Sequence, residues 1–473
     1  MISSRVQHVH FIGIGGAGMS GLAEILLLRG ITVTGSDSVA SAKTAELESL
    51  GAKVWVGHTA SHIDNADLVV YSSAIRPENV ERTEAIHRGI RLVRRADFMA
   101  EVLGDHALVA VAGTHGKTTV TSMIASILIE AKLDPLVLAG ASVRELGNKN
   151  SRAGAGKIAV AEADEYDRSF LTLQPYIAVI TSLEPEHLDI YGDVESLKDA
   201  FVQFANQGPS TFQTGYAIVC IDEPLVREIT TRLLKRIVTY GLHSSETKYR
   251  AVELQLSAQR TRAVLLRAGE IVGELELHVP GEHNIKNALA AIAVADVLSI
   301  PLEISLHALK RFRGAERRFE VLGEANGILV IDDYAHHPTE VRATLSAARN
   351  IYPGRRLIAC FQPHTFSRTR DFAENFGRVL ASDADVAILL DVYPAREAPI
   401  PGVTSDLIAE AARVSGMTAI YRVNTPDDLV KMVGNIVQPG DVVLTLGAGS
   451  VTEAAPQILE WTRTVEPSPA LEA

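Results

Sequence analysis

The sequence predicts a multidomain α/β protein built on mostly parallel sheets, and three observations carry that expectation. At 473 residues the chain exceeds what one hydrophobic core supports. Short apolar runs alternate with helix-patterned stretches over most of its length, the mark of strand–helix–strand units. Two of those runs end in glycine-rich turns, at 13–18 and 113–119, of the kind that open a helix at the carboxyl edge of a parallel sheet.

In the first segment, to about Leu103, Val6–Ile14 reads as a strand, Met19–Arg29 as a helix and Ile31–Gly35 as a second strand. Shorter β runs follow at Lys53–Val56, Leu68–Tyr71 and Arg91–Val93. The second segment opens near His106, with an apolar strand into the second turn, a helix over Thr119–Ala131 and strands at Ile158–Ala161 and Ile177–Thr181. A β-rich stretch over Arg250–Val279 precedes an Ala-rich helix ending at Leu298. The third segment, from about Phe319, alternates helices with strands at Ile328–Ile331, Leu357–Phe361, Val386–Leu390 and Val442–Leu446.

Composition narrows the function. A hydrophobic fraction of 47% with 22% charged residues is ordinary for a globular protein. The formal net charge of −12 argues against nonspecific nucleic-acid binding, which needs a basic excess to displace counterions, but leaves room for a local cationic pocket. Cys220 and Cys360 sit in apolar runs and read as reduced core residues. No apolar run is long enough to cross a bilayer and residues 1–5 lack a signal-peptide layout, so a cytoplasmic protein without membrane attachment is expected. Residues 464–473, with two prolines, read as a loose tail.

The turn Gly113-Thr114-His115-Gly116-Lys117-Thr118-Thr119 carries the most chemistry. Small residues there aim backbone N–H groups at a phosphate, Lys117 reaches the outer phosphates, and the Thr118 hydroxyl can sit on Mg²⁺. The strict phosphate-loop pattern has glycine where this chain has Val111. The first turn, Gly13-Ile14-Gly15-Gly16-Ala17-Gly18 with Asp37 after the next strand, matches Gly-x-Gly-x-x-Gly. It suits a dinucleotide or any other nucleoside diphosphate, including a nucleotide sugar.

Strand-end loops supply the remaining candidates. Glu162, Asp164, Glu165, Tyr166 and Asp167 follow one strand, and Glu162 is best placed to share an ion with Thr118; a solvated acidic loop competes. His187, in Glu184–Asp189, is a metal or phosphate ligand or simply a hydrogen-bonded loop residue. Asn284 and Asn287 can read a purine edge or cap a helix. Arg313, Arg317 and Arg318 form a basic cluster suited to a transferring phosphoryl group, or a solvated surface. Asp332, Asp333, His336 and His337 cluster at another strand end, and His364 with Arg368 can hold a small carboxylate.

Taken in order, these motifs resemble the ATP-dependent ligases of peptidoglycan synthesis, the Mur ligases. The resemblance covers almost the full length, through 11–21, 113–119, 162–167, 184–187, 283–287, 317–320, 332–338, 361–369 and 391–397. It implies a Rossmann-like N-terminal domain (1–104) for a UDP-sugar, a central P-loop ATPase-type domain (105–318), and a C-terminal Rossmann-like α/β domain (319–473) for the amino acid. The UDP-sugar then contacts Gly15, Gly16, Ala17, Gly18, Met19, Ser20, Asp37, Ser72 and Ser73. ATP lies on Gly113, Thr114, His115, Gly116, Lys117, Thr118 and Thr119, with Asn284 and Asn287 near adenine. Mg²⁺ is surrounded by Thr118, Glu162 and His187, and Lys117, Arg318, Asp333, His337, His364 and Arg368 carry the chemistry.

The reaction implied joins L-alanine to the lactyl carboxylate of UDP-N-acetylmuramate through an acyl phosphate, by a monomer or weak homodimer that closes before chemistry. Some relatives carbamylate a lysine where this chain has Phe201, with Lys198 nearby. Glu165-Tyr166-Asp167 and Tyr334-Ala335-His336 lean towards a sister ligase that adds a tripeptide to the same UDP-sugar, whereas 15–20 and 362–366 point to the alanine-adding form. Other classes remain as alternatives. A nicotinamide-dependent oxidoreductase would leave the second turn unexplained. A nucleotide-regulated binding protein would bind ATP without substrate-dependent phosphate release, and a dinuclear metallohydrolase on Asp332, Asp333, His336 and His337 would ignore both turns.

Overall fold

A computed structural model describes residues 6–208, 215–257, 260–395 and 397–464, so the tail expected beyond Thr464 lies outside the described residues. Among the described residues the chain is α/β and is organised on three sheets. By contacts it forms two compact units. One comprises Met1–Leu254, Arg262–His278 and Asn284–Ala315; the other comprises Gln255–Thr261, Val279–His283 and Glu316–Ala473.

The first sheet contains β1 (His8–Ile12), β2 (Thr32–Asp37), β3 (Lys53–Val56), β4 (Leu68–Tyr71) and β5 (Arg91–Arg94). Their order is β3-β2-β1-β4-β5 and every pairing is parallel. The chain winds outward from β1 in one direction and then returns to β4 on its other side. That reversal opens a crevice at the carboxyl ends of β1 and β4, the place where open parallel sheets receive ligands. The glycine turn follows β1, and Ser72 and Ser73 follow β4.

The second sheet contains β6 (Ala107–Ala112), β7 (Leu136–Val143), β8 (Lys149–Ala153), β9 (Ile158–Glu162), β10 (Ile177–Ile180), β11 (Tyr216–Cys220), β12 (Arg236–Gly241), β13 (Tyr249–Leu256), β14 (Thr261–Arg267) and β15 (Glu270–Leu277). The order β15-β14-β13-β12-β11-β10-β6-β9-β7-β8 puts β6 between β10 and β9, with a second reversal between β6 and β10. Ala112 pairs with Ile180 and Val111 with Glu162, so three strand ends converge on the second glycine turn. Covered on both faces, β6 and β10 are almost wholly buried, which explains their continuous apolar sequences.

In the second unit lie β16 (Glu320–Ala325), β17 (Ile328–Asp333), β18 (Leu357–Phe361), β19 (Val386–Leu389), β20 (Ile420–Arg422) and β21 (Val442–Leu446), in the order β16-β17-β21-β18-β19-β20. All pairings are parallel except β16 with β17.

Sequence and structure differ in identifiable ways. β1 ends at Ile12 rather than Ile14, because Gly13 turns the chain at φ +83°. The following helix starts at Ala17, two residues early, and the helix after the second turn starts at Lys117 rather than Thr119. The β7–β8 hairpin was not foreseen: β8 reads Lys-Asn-Ser-Arg-Ala, and a polar edge strand has no apolar periodicity. β16 is likewise half exposed and antiparallel. Both cysteines are free and buried, as expected. Among the described residues no helix is long and apolar enough to cross a membrane.

Phe201 occupies the position where a carbamylated lysine would fall, on the helix Val194–Asn206. It is 1% exposed and packs edge-on to Phe170 at 5.2 Å, while Phe204 stacks on the same ring at 5.0 Å. Lys198 is engaged elsewhere, with Glu195 at 2.7 Å and Glu228 at 2.6 Å. The residue is therefore core. Replacing Phe201 with Ala should cost about 3–5 kcal/mol, read as an earlier urea midpoint.

Candidate functional site

At the first turn, Gly13 and Ile14 donate to the Ser36 carbonyl at 2.8 and 3.0 Å, and Gly15 N donates to Asp37 Oδ2 at 2.9 Å. The end of β2 thus fixes the loop. Gly16 precedes the helix Ala17–Leu28 and supplies no side-chain cap, so the helix begins with unsatisfied N–H groups facing the crevice. A Cβ on Gly18 would fall 2.6 Å from Arg95 Nη1, which places a guanidinium against the helix start. Arg95 was missed in the sequence because it lies in the run Arg94-Arg95 with no motif around it; among the described residues it has no hydrogen bond or ion pair. Met19 is buried, its N–H closing on Gly16 O at 2.9 Å, and Ser20 Oγ donates to Ala17 O at 3.1 Å. These two contribute packing and helix closure. Ser72 Oγ accepts from Ala74 N at 3.3 Å and, with Ser73, lies just beyond the end of β4.

The second turn is held by the strand beside it. Thr114 N donates to Ser182 O at 3.2 Å and His115 N to Ser182 Oγ at 2.8 Å, while Thr114 Oγ1 accepts from Glu184 N at 2.9 Å. Since those two amides are engaged, the N–H groups offered to an anion begin at Gly116. That residue has φ +80° and leads the helix Lys117–Glu130 without a side-chain cap. A Cβ there would fall 2.7 Å from Asn287 Oδ1, so only glycine lets the loop approach the helix Glu282–Val297. Asn287 Nδ2 donates to Asn284 Oδ1 at 3.2 Å, and both side chains are buried beside the turn.

Lys117 Nζ donates to Gly113 O at 2.7 Å and to both oxygens of Glu165 at 2.9 Å. Burial alone would lower its pKa, but the carboxylates of Glu165, Asp164 and Glu162 outweigh burial and raise it. Thr118 Oγ1 donates to Glu162 Oε2 at 2.8 Å, and that oxygen also accepts from Gly140 N at 2.8 Å. Thr119 is buried in the helix's first turn. A hydroxyl beside a carboxylate at a phosphate-binding turn is the hard oxygen set that Mg²⁺ takes, so Thr118 and Glu162 fit that ion. His187 lies instead with Glu165 and Glu186, their ligand atoms within 4.8 Å of one another. Glu165 is the partner the sequence hid: it directly precedes the turn Tyr166–Thr172 and is one of four candidate acids, with nothing in spacing to single it out.

The second unit gathers its own residues. Arg318 lies over the Tyr334 ring at 5.3 Å and Arg317 at 4.9 Å, the latter also paired with Asp332 at 3.0 Å. Asp332 further accepts from Thr445 and Thr452 hydroxyls at 2.6 and 2.8 Å. Asp333 accepts from Phe319 N at 2.8 Å, Ala335 N at 2.7 Å and Thr344 Oγ1 at 3.1 Å. Both acids are thereby committed to the fold, which weakens a dinuclear metal reading. His337 caps the helix Pro338–Ile351 and packs edge-on to Phe372 at 4.9 Å. His336, His364 and Tyr393 form a run of rings at 5.6 and 5.8 Å, and Arg368 Nη1 meets His364 Nδ1 at 3.1 Å. Arg313 lies in the other unit, its N–H on Glu145 at 2.7 Å.

Comparisons with known proteins agree over the whole chain. Residues 8–106 match the model of the Mur ligase family catalytic domain, 111–295 the Mur ligase middle domain, and 317–449 the Mur ligase glutamate ligase domain. A UDP-N-acetylmuramate–L-alanine ligase of Sorangium cellulosum is 47% identical over 95% of both chains. One from Salinibacter ruber is 47% identical over 96% of this chain and 95% of its own. The crystal structure of a UDP-N-acetylmuramate–alanine ligase from Thermotoga maritima superposes with a TM-score of 0.83 at 29% identity, covering 97% of this chain and 100% of that one. A murein peptide ligase from Psychrobacter arcticus gives 0.72 at 25% identity, covering 98% and 100%.

Two tests follow from this geometry. Gly116→Ala should weaken ATP binding by about 10-fold or more, seen by calorimetry, because it combines a left-handed φ with a clash at Asn287. Burial pushes the Asp333 carboxyl up to about 6, against the pull of Arg318 and the Phe319 and Ala335 amides. The folded state therefore keeps a proton that the unfolded chain releases above the ordinary 3.8, and stability contributed by this group falls as pH rises towards 6. Asp333→Asn should flatten the urea midpoint of the second unit across that window.

Proposed function

The chain belongs to the Mur ligase family, and we propose that it joins L-alanine to the lactyl carboxylate of UDP-N-acetylmuramate while ATP is cleaved to ADP and phosphate. The observation that carries this reading is the phosphate turn with a charged, carboxylate-held Lys117 beside Thr118 and Glu162, in a chain 47% identical to alanine-adding relatives along nearly its full length. The recycling alternative is not favoured, since the murein peptide ligase is 25% identical. We assign residues 1–104 to the UDP-sugar, 105–318 to ATP and 319–473 to the amino acid.

A carboxylate resists amines because oxide is its leaving group. In the proposed first step a lactyl carboxylate oxygen attacks the γ-phosphorus, the bond to the ADP oxygen breaks, and an acyl phosphate forms. Lys117 and the amides from Gly116 onward offset charge on the phosphate oxygens, and Arg318 serves the γ-phosphoryl group. When bound at Thr118 and Glu162, Mg²⁺ supplies further charge neutralisation. Arg368 orients the alanine carboxylate. The amine then attacks the acyl carbon, and the C–O bond to phosphate breaks. For the ammonium proton, His336 fits better than His337 or His364. Its Nδ1 donates to the Tyr334 carbonyl at 2.9 Å, so Nε2 carries the lone pair, whereas His364 Nδ1 accepts from Arg368.

The test is phosphate release from ATP with UDP-N-acetylmuramate and either L-alanine or a tripeptide as acceptor. Alanine-dependent release, abolished in Lys117→Ala, is expected. Tripeptide-dependent release alone would establish the recycling activity, and near-normal turnover in the variant would overturn the assignment of the phosphate turn.

A further inference from the structure

We propose that Glu81 is a positioning residue for the first glycine turn, acting through Ser36 on the amides of Gly13, Ile14 and Gly15. Glu81 is fully buried at the start of the helix Val80–His87, yet three imidazoles surround it. His62 Nδ1 lies 2.7 Å from Oε1, and His58 Nδ1 and His10 Nε2 lie 3.3 and 3.5 Å from Oε2. Thr59 N donates to Oε1 at 3.2 Å, and the Ser36 hydroxyl donates to Oε2 at 2.5 Å. Around that core, His10 Nδ1 meets Thr34 Oγ1 at 2.9 Å, and Trp55 stacks on His62 at 4.4 Å with Lys53 above it. One carboxylate thus ties together β1, β2, the 57–63 loop and a helix start, and β3 joins through Trp55 on the His62 ring.

The charge is retained. Burial would raise the Glu81 pKa, but the adjacent His10 imidazole and the hydrogen bonds from Ser36 and His62 hold it down, to about 2. A buried carboxylate is costly unless its lone pairs are all taken, and here the partners are supplied by five residues of two strands and a loop. Its reach to the ligand turn is short. Ser36, fully buried and fixed by Glu81 through its hydroxyl, accepts from Gly13 N and Ile14 N through its carbonyl, and the next residue, Asp37, accepts from Gly15 N. The sheet could be closed by apolar residues at these positions; a charged hub instead pins the register of the β2 end that sets three consecutive amides of the turn.

This inference rests on the reading that the first turn holds the diphosphate of a UDP-sugar, and the experiment separates the two. Amide hydrogen exchange of the free protein, wild type against Glu81→Gln and the milder Ser36→Ala, should show faster exchange at 13–15 and 37 while 113–116 stays as in wild type. In a Trp461→Phe background the Trp55 emission should shift with the loosened His62. For turnover, KM for UDP-N-acetylmuramate should rise by about 10-fold with kcat and KM for ATP little changed. Unchanged exchange at 13–15 in both variants overturns the positioning role. Equal losses in kcat and in KM for all three substrates also overturn it, because that is what general destabilisation gives. Faster exchange at the turn with unaltered affinity for UDP upholds the role of Glu81 and overturns the diphosphate reading.

Discussion

The buried ion pair between Lys117 and Glu165 is the constraint around which the central nucleotide turn is built. A lysine ammonium placed at the junction of β6, β9 and β10 has lost most of its water, and stays charged because a carboxylate meets it with both oxygens and Gly113 supplies a carbonyl. Several other features follow from that requirement. The turn after β9 must deliver Glu165 inward, and Tyr191 helps hold it by donating to the Glu165 carbonyl at 2.6 Å. The turn after β6 must bring Lys117 close, which needs Gly116 at φ +80° and leaves Asn287 where any Cβ would collide. The pair therefore fixes the lysine charge beside the glycine turn, where the proposed reaction would bring phosphate charge, rather than leaving a flexible lysine in solvent.

Much of this was legible in the sequence because strands buried on both faces advertise themselves. Val111-Ala112 and Ile177–Ile180 are apolar without interruption, and each stops at a turn of glycine, serine or acidic residues. The parallel order, the two glycine turns and the helix starts followed to within two residues. What stayed hidden depends on three-dimensional pairing. Glu165 is one of several neighbouring acids; only the folded turn shows that its two oxygens are the ones hydrogen-bonded to Lys117. Arg95 carries no motif, and its place beside Gly18 comes from the packing of the helix Arg95–Leu103. Glu81, His58 and His62 are separated by up to 23 residues and belong to no motif, so only the folded chain shows them meeting. Polar edge strands such as β8 were invisible for the opposite reason, having no buried face to impose a period.

The acceptor residues of the second unit show how the same motif divides between fold and chemistry. Asp332-Asp333 and His336-His337 look equivalent in sequence, yet the structure separates them. Both acids are bound to backbone amides, threonines and Arg317, and His337 caps a helix. His336 instead enters the ring run with His364 and Tyr393, beside Arg368. Paired residues at a strand end thus announce a site without saying which partner faces it, because alternate side chains leave a chain on opposite faces.

The two glycine turns are alike in backbone but opposite in electrostatic construction, and that difference matches what each nucleotide would undergo. At the first, Asp37 takes Gly15 N and the cation nearby is the Arg95 guanidinium beside Gly18. In the proposed reaction such a cradle would bind a diphosphate equally before and after the step, which is the behaviour of a handle. At the second, a lysine is held in reserve by a carboxylate that a phosphate can displace, next to a hydroxyl–carboxylate pair that suits a divalent ion. Interactions that change partner as charge moves can favour a transition state over the ground state, whereas a constant grip cannot. On the proposed reading, a chain that carries one turn of each kind is equipped to hold one nucleotide still while spending the other.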